Sequence, residues 1–138
     1  MGYALTHYWK YEYKAVSPCA EIAMSEGDVC QFSYINLGKF VNKERNDIDY
    51  DSLKKAVYYL TRTLDNLIDI TIENALDNKL IIEDKRRIGV GVCGFADMLA
   101  ILKIPYDSDE ALLLAKNILS SFVMLYLLFI FFFLLSSS

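Results

Sequence analysis

Cys19 precedes Glu21 by two positions and Cys30 by eleven, in the stretch SPCAEIAMSEGDVC (17–30). A thiol and a carboxylate two residues apart on an extended or looped chain lie on one side of it and can face the same small substrate. The carboxylate disfavours a thiolate beside it, whereas a nucleophilic cysteine wants a cationic neighbour. The pair therefore suits a thiol that reacts in its neutral form, as a hydrogen-atom donor or acceptor, with Glu21 as a separate base. Pro18 fixes the local backbone and biases Ser17 toward an extended geometry. A plainer reading stands beside this one: C-x-E is a short pattern, and a cysteine packed in a core satisfies it as well.

Other residues invite chemistry on weaker grounds. The three cysteines form no C-x-x-C pair, and the single histidine, His7, is distant from them in sequence, so a structural zinc site is not expected. Asp65 and Asp69 fall four apart on one helix face, and Asp97 follows later, but polar roles at helix ends suit these acids better than a metal, and no metal site is assigned. Gly89, Gly91 and Gly94 match G-x-G-x-x-G, the dinucleotide fingerprint. The acids at the required distance, Asp107 and Asp109, sit in a helix-entry turn, so close strand–helix packing is the expected use of these glycines. Cys93, in the same stretch, is expected to be structural.

The elements that position these residues follow from pattern. Val29–Gly38 is β-prone and ends on glycine, which predicts a strand. Leu53, Ala56, Val57, Leu60, Leu64, Leu67 and Ile68 recur at helical spacing behind Asp49 or Asp51 as cap. Residues 71–87 begin as a polar connection. Ile88–Leu102 predicts a buried strand, a glycine turn and a helix from about Phe95 that Pro105 closes. Ser108 is placed to cap a last helix, with Asp109 and Glu110 complementing its dipole. Strand alternating with helix is the signature of an α/β layer architecture.

The 138 residues suffice for one domain with a real core, and 54% hydrophobic with 23% charged residues excludes a disordered chain. A net charge of −4 argues against nucleic acid and against anionic membranes as partners. The first sixteen residues hold no continuous apolar run, so no signal peptide is expected and a reducing, cytoplasmic setting follows. Phe122–Leu135 is apolar throughout, short of the roughly twenty residues a membrane span needs. It reads as an anchor, a buried helix or a non-native end.

Taken in order, SPCAEIAM, GDVCQFSYINLGKFV, DYDSLKKAVYYLTRTLDNLIDI, RRIGVGVCGFADMLAILKIPYDSDEA resemble the catalytic subunit of ribonucleotide reductase, from about Val16 to Ile118. The last two runs are closer in wording to the adenosylcobalamin-dependent branch. The resemblance implies a partial segment of a ten-stranded α/β barrel over residues 16–121; outside it fall a non-family leader (1–15) and an apolar, low-complexity tail (122–138), expected as an apolar C-terminal helix. It implies that Cys19 carries a thiyl radical at the tip of a finger loop and abstracts the ribose 3′ hydrogen. Glu21 is then the base for the 3′-hydroxyl proton, and Cys30 one member of the redox pair. Ser17 stands where the family commonly has a substrate-binding asparagine; its shorter reach puts substrate positioning in question. The implied cofactor is adenosylcobalamin, for which no binding motif is identifiable in these residues. The implied partners are a ribonucleotide, the remainder of the reductase or a second subunit, and an external thiol reductant such as thioredoxin. The family's chain is several times longer, so the isolated segment is expected to be inactive. The alternative is a truncated, non-catalytic remnant that binds a partner or associates with a membrane.

Overall fold

The computed structural model describes residues 12–18, 20, 22–75 and 77–136, with side chains as far as 122. The elements are β1 (Ala15–Val16), β2 (Ala23–Met24), β3 (Cys30–Asn36), β4 (Val41–Asn42), β5 (Asp47–Ile48), α1 (Tyr50–Asn74), α2 (Lys79–Lys85), β6 (Arg87–Cys93), α3 (Phe95–Leu102) and α4 (Asp109–Ser136). This is the mixed α/β composition that the alternation predicts. The chain divides into two compact units, one of residues 1–31 and 65–88, the other of residues 32–64 and 89–138.

In the first unit, β1 and β2 form a short antiparallel hairpin, Ala15 opposite Met24 and Val16 opposite Ala23. Its apolar cluster is built on Ile68 and Ile72 from α1 and Ile82 from α2, with Val29, Ala75, Ile81 and Ile88 packed against them. Helix α1 continues through Asn74, and α2 occupies part of the expected polar connection. Both extensions follow from burial: Ile72 and Ile82 continue the apolar stripe past its predicted end.

In the second unit, the core joins Ile35, Leu37, Ile48, Leu53, Val57, Met98, Leu102 and Ile118. The start of α1 is fixed by Asp49, whose Oδ1 accepts from Ser52 N–H at 3.0 Å and whose Oδ2 accepts from Ser52 Oγ at 2.7 Å. Those bonds, the side-chain one first, hold its carboxyl below the ordinary carboxylate value. Leu53 and Val57 are buried as the stripe requires, whereas Leu67, on the part of α1 in the first unit, is 39% exposed. Ser108 caps α4 through Ala111 N–H, as predicted. The strand expected to run to Gly38 stops at Asn36: Asn36 Oδ1 accepts from Gly38 N–H at 3.1 Å and turns the chain into a 3₁₀ turn, Leu37–Phe40.

The strands β3 and β6 pair with each other. A Cβ on Gly89 would meet Phe32 Cβ at 3.2 Å, and one on Gly91 would meet the Tyr34 ring at 2.6 Å. Residue numbers thus rise together along the two strands, and the pair is parallel, as a strand–helix–strand crossover demands. Gly89 and Gly91 therefore make room for aromatic side chains on a neighbouring strand, not for a helix as the sequence reading expected. Gly94 has φ +69 and caps α3 beside Asn36. Among the described residues no helix is long and apolar enough to cross a membrane. The side chains of the apolar tail beyond 122, and the leader as far as residue 11, lie outside the described residues.

Candidate functional site

The β1–β2 hairpin holds a loop closed by backbone and side-chain bonds together. Ser17 N–H donates to Ile22 O at 3.0 Å, Ile22 N–H donates back to Ser17 Oγ at 3.2 Å, and Ala20 N–H donates to Ser17 O at 2.8 Å. Pro18 enters the resulting turn, and Ala20 leaves it with φ 60. Ser17 is buried, 6% exposed. Its hydroxyl oxygen is used as an acceptor, which leaves the hydroxyl hydrogen able to donate. Cys19 and Glu21 fall within this loop in sequence and lie outside the described residues.

Cys30 opens β3 and is half-buried. The turn before it is tight: Asp28 N–H donates to Ser25 O at 3.2 Å, and Gly27 takes φ +74 with the Asn78 side chain where a Cβ would stand. Gln31 Nε2, next to Cys30, donates to Thr71 Oγ1 of α1 at 3.0 Å. Strand alternation puts Cys30 on the side that bears Phe32 and Tyr34, the side to which Gly89 and Gly91 turn. The opposite side of β3 carries Ile35 into the core. The same register places Arg87 opposite Cys30.

Three consecutive cations, Lys85, Arg86 and Arg87, divide between two acidic groups. Lys85 Nζ and Arg87 Nε donate to Asp28 Oδ2 at 2.7 and 3.1 Å, and Lys85 also donates to Ser25 Oγ at 2.8 Å. The Asp28 side chain has no exposure, and its Oδ1 has no hydrogen-bond partner among the described residues. Arg86 takes φ 39, caps α2, and turns to α1. Its Nε and Nη2 donate to Asp65 Oδ1 at 3.0 and 2.7 Å, Nη2 to Asp65 O at 3.1 Å, and Nη1 to Asp69 Oδ1 at 2.7 Å. The bond to Asp69 raises the guanidinium pKa most; burial opposes it and Asp65 adds to it. Asp65 and Asp69 are thus the anchor of an arginine. Asp97 sits in the first turn of α3, and Cys93 ends β6 exposed rather than packed.

The sequence reading passed over Asp28, Lys85 and Arg87. The only available signal was the run of three cations just before an apolar strand, where a solvated stretch would have no reason to stop.

A family model described as ribonucleotide reductase, barrel domain, matches residues 10–127. The chain is 38% identical over 107 residues to a vitamin B12-dependent ribonucleoside-diphosphate reductase of Thermoplasma acidophilum, a match covering 78% of this chain and 14% of that protein. A protein of the same description from Mycobacterium tuberculosis is 34% identical over 106 residues, covering 77% of this chain and 15% of that one. A ribonucleoside-diphosphate reductase large chain of Cryptosporidium parvum is 36% identical over 104 residues, 72% of this chain and 13% of the relative. The chain thus spans about a seventh of the length of the curated relatives it matches.

Proposed function

Because the chain belongs to the ribonucleotide reductase family and matches its barrel domain, we propose that it is the part of a ribonucleoside-diphosphate reductase catalytic subunit that carries the radical thiol Cys19, the base Glu21 and the redox thiol Cys30. The observation that carries this reading is the clasp between Ser17 and Ile22. It closes the P-C-x-E stretch into a loop on a hairpin, the form a finger presented to a substrate would take. A thiyl radical must be kept from solvent and stray reductants, and a loop closed at its base serves that need.

The chemistry proposed is as follows. The Cys19 thiyl takes the ribose 3′ hydrogen, becoming a thiol and leaving a carbon radical at C3′. Glu21 takes the 3′-hydroxyl proton while the 2′-hydroxyl leaves as water, its second hydrogen delivered as a proton by a redox thiol. Cys30 and a second thiol from elsewhere in the whole protein provide two electrons and two protons in all and become a disulfide. Glu21 returns its proton to O3′, and the hydrogen held on Cys19 returns to C3′ and restores the thiyl. Ribonucleotide and two thiols thus become deoxyribonucleotide, disulfide and water. Ser17, with its hydroxyl hydrogen unused by Ile22, is proposed to donate toward the ribose. An external dithiol such as thioredoxin, in a cytoplasmic setting, would reduce the disulfide.

The radical source proposed is adenosylcobalamin, after the relatives described as vitamin B12-dependent; it supplies a carbon radical by homolysis when bound. Two clefts in the second unit, of about 240 and 390 Å³, are smaller than a corrin with its nucleotide tail. No described residue is assigned to it, and no step above runs through it.

The test is to graft residues 16–121 into a full-length vitamin B12-dependent reductase and follow tritium released from 3′-labelled ribonucleotide. Cys19→Ser replaces a weak S–H bond by a strong O–H bond and should abolish release. Cys30→Ser should keep release and lose deoxyribonucleotide. Glu21→Gln should slow turnover by about 10²–10⁴, the usual worth of a general base. Release surviving in Cys19→Ser would return Cys19 to the role of a packed cysteine.

A further inference from the structure

Asp28, two residues before Cys30, is the meeting point of two cations from different elements, Lys85 at the end of α2 and Arg87 at the start of β6. The three side chains are 0, 6 and 17% exposed. A fully buried carboxylate is costly to desolvate and persists where charge partners compensate it. Here two cations share one carboxylate oxygen, Asp28 Oδ2. The Gly89–Phe32 and Gly91–Tyr34 contacts, carried two residues back along the parallel pair, put Arg87 level with Cys30. Asp28 from the turn, Lys85 from α2 and Arg87 from β6 meet there, with the Tyr13 ring 5.4 Å from Lys85 Nζ. From α1, Gln31 meets the neutral Thr71, while Asp65 and Asp69 are engaged by Arg86.

Resting on the reading of Cys30 as a redox thiol, we infer that Asp28 is a positioning residue for it: Asp28 gathers Lys85 and Arg87 at the entrance of β3, fixes the Ser25–Cys30 segment between them, and balances their charge at the thiol. A disulfide-forming thiol attacks and leaves according to its thiolate character and its place. The cluster governs both. A cation beside the thiol favours the thiolate and the anion opposes it, and the shared Oδ2 ties the turn before β3 to the start of β6.

The experiment is alkylation of the reduced 138-residue chain by iodoacetamide across pH, read by mass spectrometry. A glutamyl endoprotease that cuts after Glu21 and Glu26 separates Cys19 from Cys30, and the exposed Cys93 at the far end of β6 serves as internal control. Asp28→Asn removes the anion and leaves both cations, so the Cys30 midpoint should fall by about one pH unit, the low end of what a nearby charge does. Arg87→Gln removes a cation, so the midpoint should rise by a similar amount. Cys93 should not move in either. Loosening of the segment alone would speed Cys30 in both variants without opposite midpoint shifts, and that result, or no shift in either, would overturn the inference. Arg87→Gln leaves one cation paired with Asp28 and is the variant to rely on if Asp28→Asn does not fold. No turnover is needed, so this readout stands or falls separately from tritium release.

Discussion

Replacing Arg86 by alanine or by glycine separates the two things this residue does. Its guanidinium makes four hydrogen bonds to α1, and its backbone takes φ 39, which favours glycine. The Asp65 side chain is 12% exposed, and charge-assisted bonds at such a site are worth about 1.5–3 kcal/mol net. Asp69 is the larger influence on the guanidinium's pKa, but its side chain is 56% exposed and water replaces most of the interaction, leaving about 0–1 kcal/mol. Arg86→Ala should therefore cost about 2–4 kcal/mol. Arg86→Gly loses the same bonds but is relieved of the left-handed backbone, worth about 1 kcal/mol, and should be the less damaging change. Urea unfolding followed by circular dichroism gives both values, and hydrogen exchange at Ile72 and Ile82 tests whether the loss is local to the first unit. The Arg86 pKa is raised, so its contribution is complete below the ordinary arginine value and would be lost only as pH rises through the folded one. The deficit of the variants should accordingly not be changed by arginine titration between pH 5 and 9. An Arg86→Ala cost under about 0.5 kcal/mol, or glycine worse than alanine, would refute the reasoning.

The Asp49 cap predicts a pH effect of the opposite sense. Its folded pKa is depressed below 3.8, so its stabilisation is present above that value and lost as pH falls through the folded one; the gap in melting temperature between wild type and Asp49→Asn should shrink from pH 6 to pH 3, and a constant gap would contradict the cap. Gly94→Ala should cost about 1–3 kcal/mol, because φ +69 strains any side chain and its Cβ would strike Asn36 Oδ1. Gly89→Ala would put its Cβ 3.2 Å from Phe32 Cβ, an atom the β3 backbone holds in place, and should cost about 1–3 kcal/mol by the same urea measurement.

What could be read from sequence here was local and periodic. The helix behind Asp49, the strand–glycine–helix run from Ile88 to Leu102 and the Ser108 cap depend on contacts within a few residues, and each appears where its pattern put it. The two-residue strands β1, β2, β4 and β5 were not legible, because nothing in Ala15–Val16 or Val41–Asn42 distinguishes a strand until its partner is known. The glycines of GVGVCG were expected to serve close packing, and Gly89 and Gly91 do face side chains of a neighbouring strand. Their true neighbours, Phe32 and Tyr34, lie more than fifty residues away on a strand whose pairing no local pattern encodes.

The Lys85-Arg86-Arg87 run shows why charge is harder to read than apolarity. An apolar residue needs only the right face of its own element, but a cation's role depends on which acid reaches it. Arg86 and Arg87 are neighbours in sequence, yet one bonds an acid 21 residues back and the other an acid 59 residues back. Lys85 and Arg87 both reach Asp28, while Arg86 between them, with its left-handed backbone, reaches Asp65 and Asp69. In consequence a single tripeptide ties both the turn before Cys30 and helix α1 to the first residue of β6. The segment that leads into Cys30 is thereby fixed by ion pairs to α2 and β6, independently of the Ser17–Ile22 bonds that close the hairpin loop.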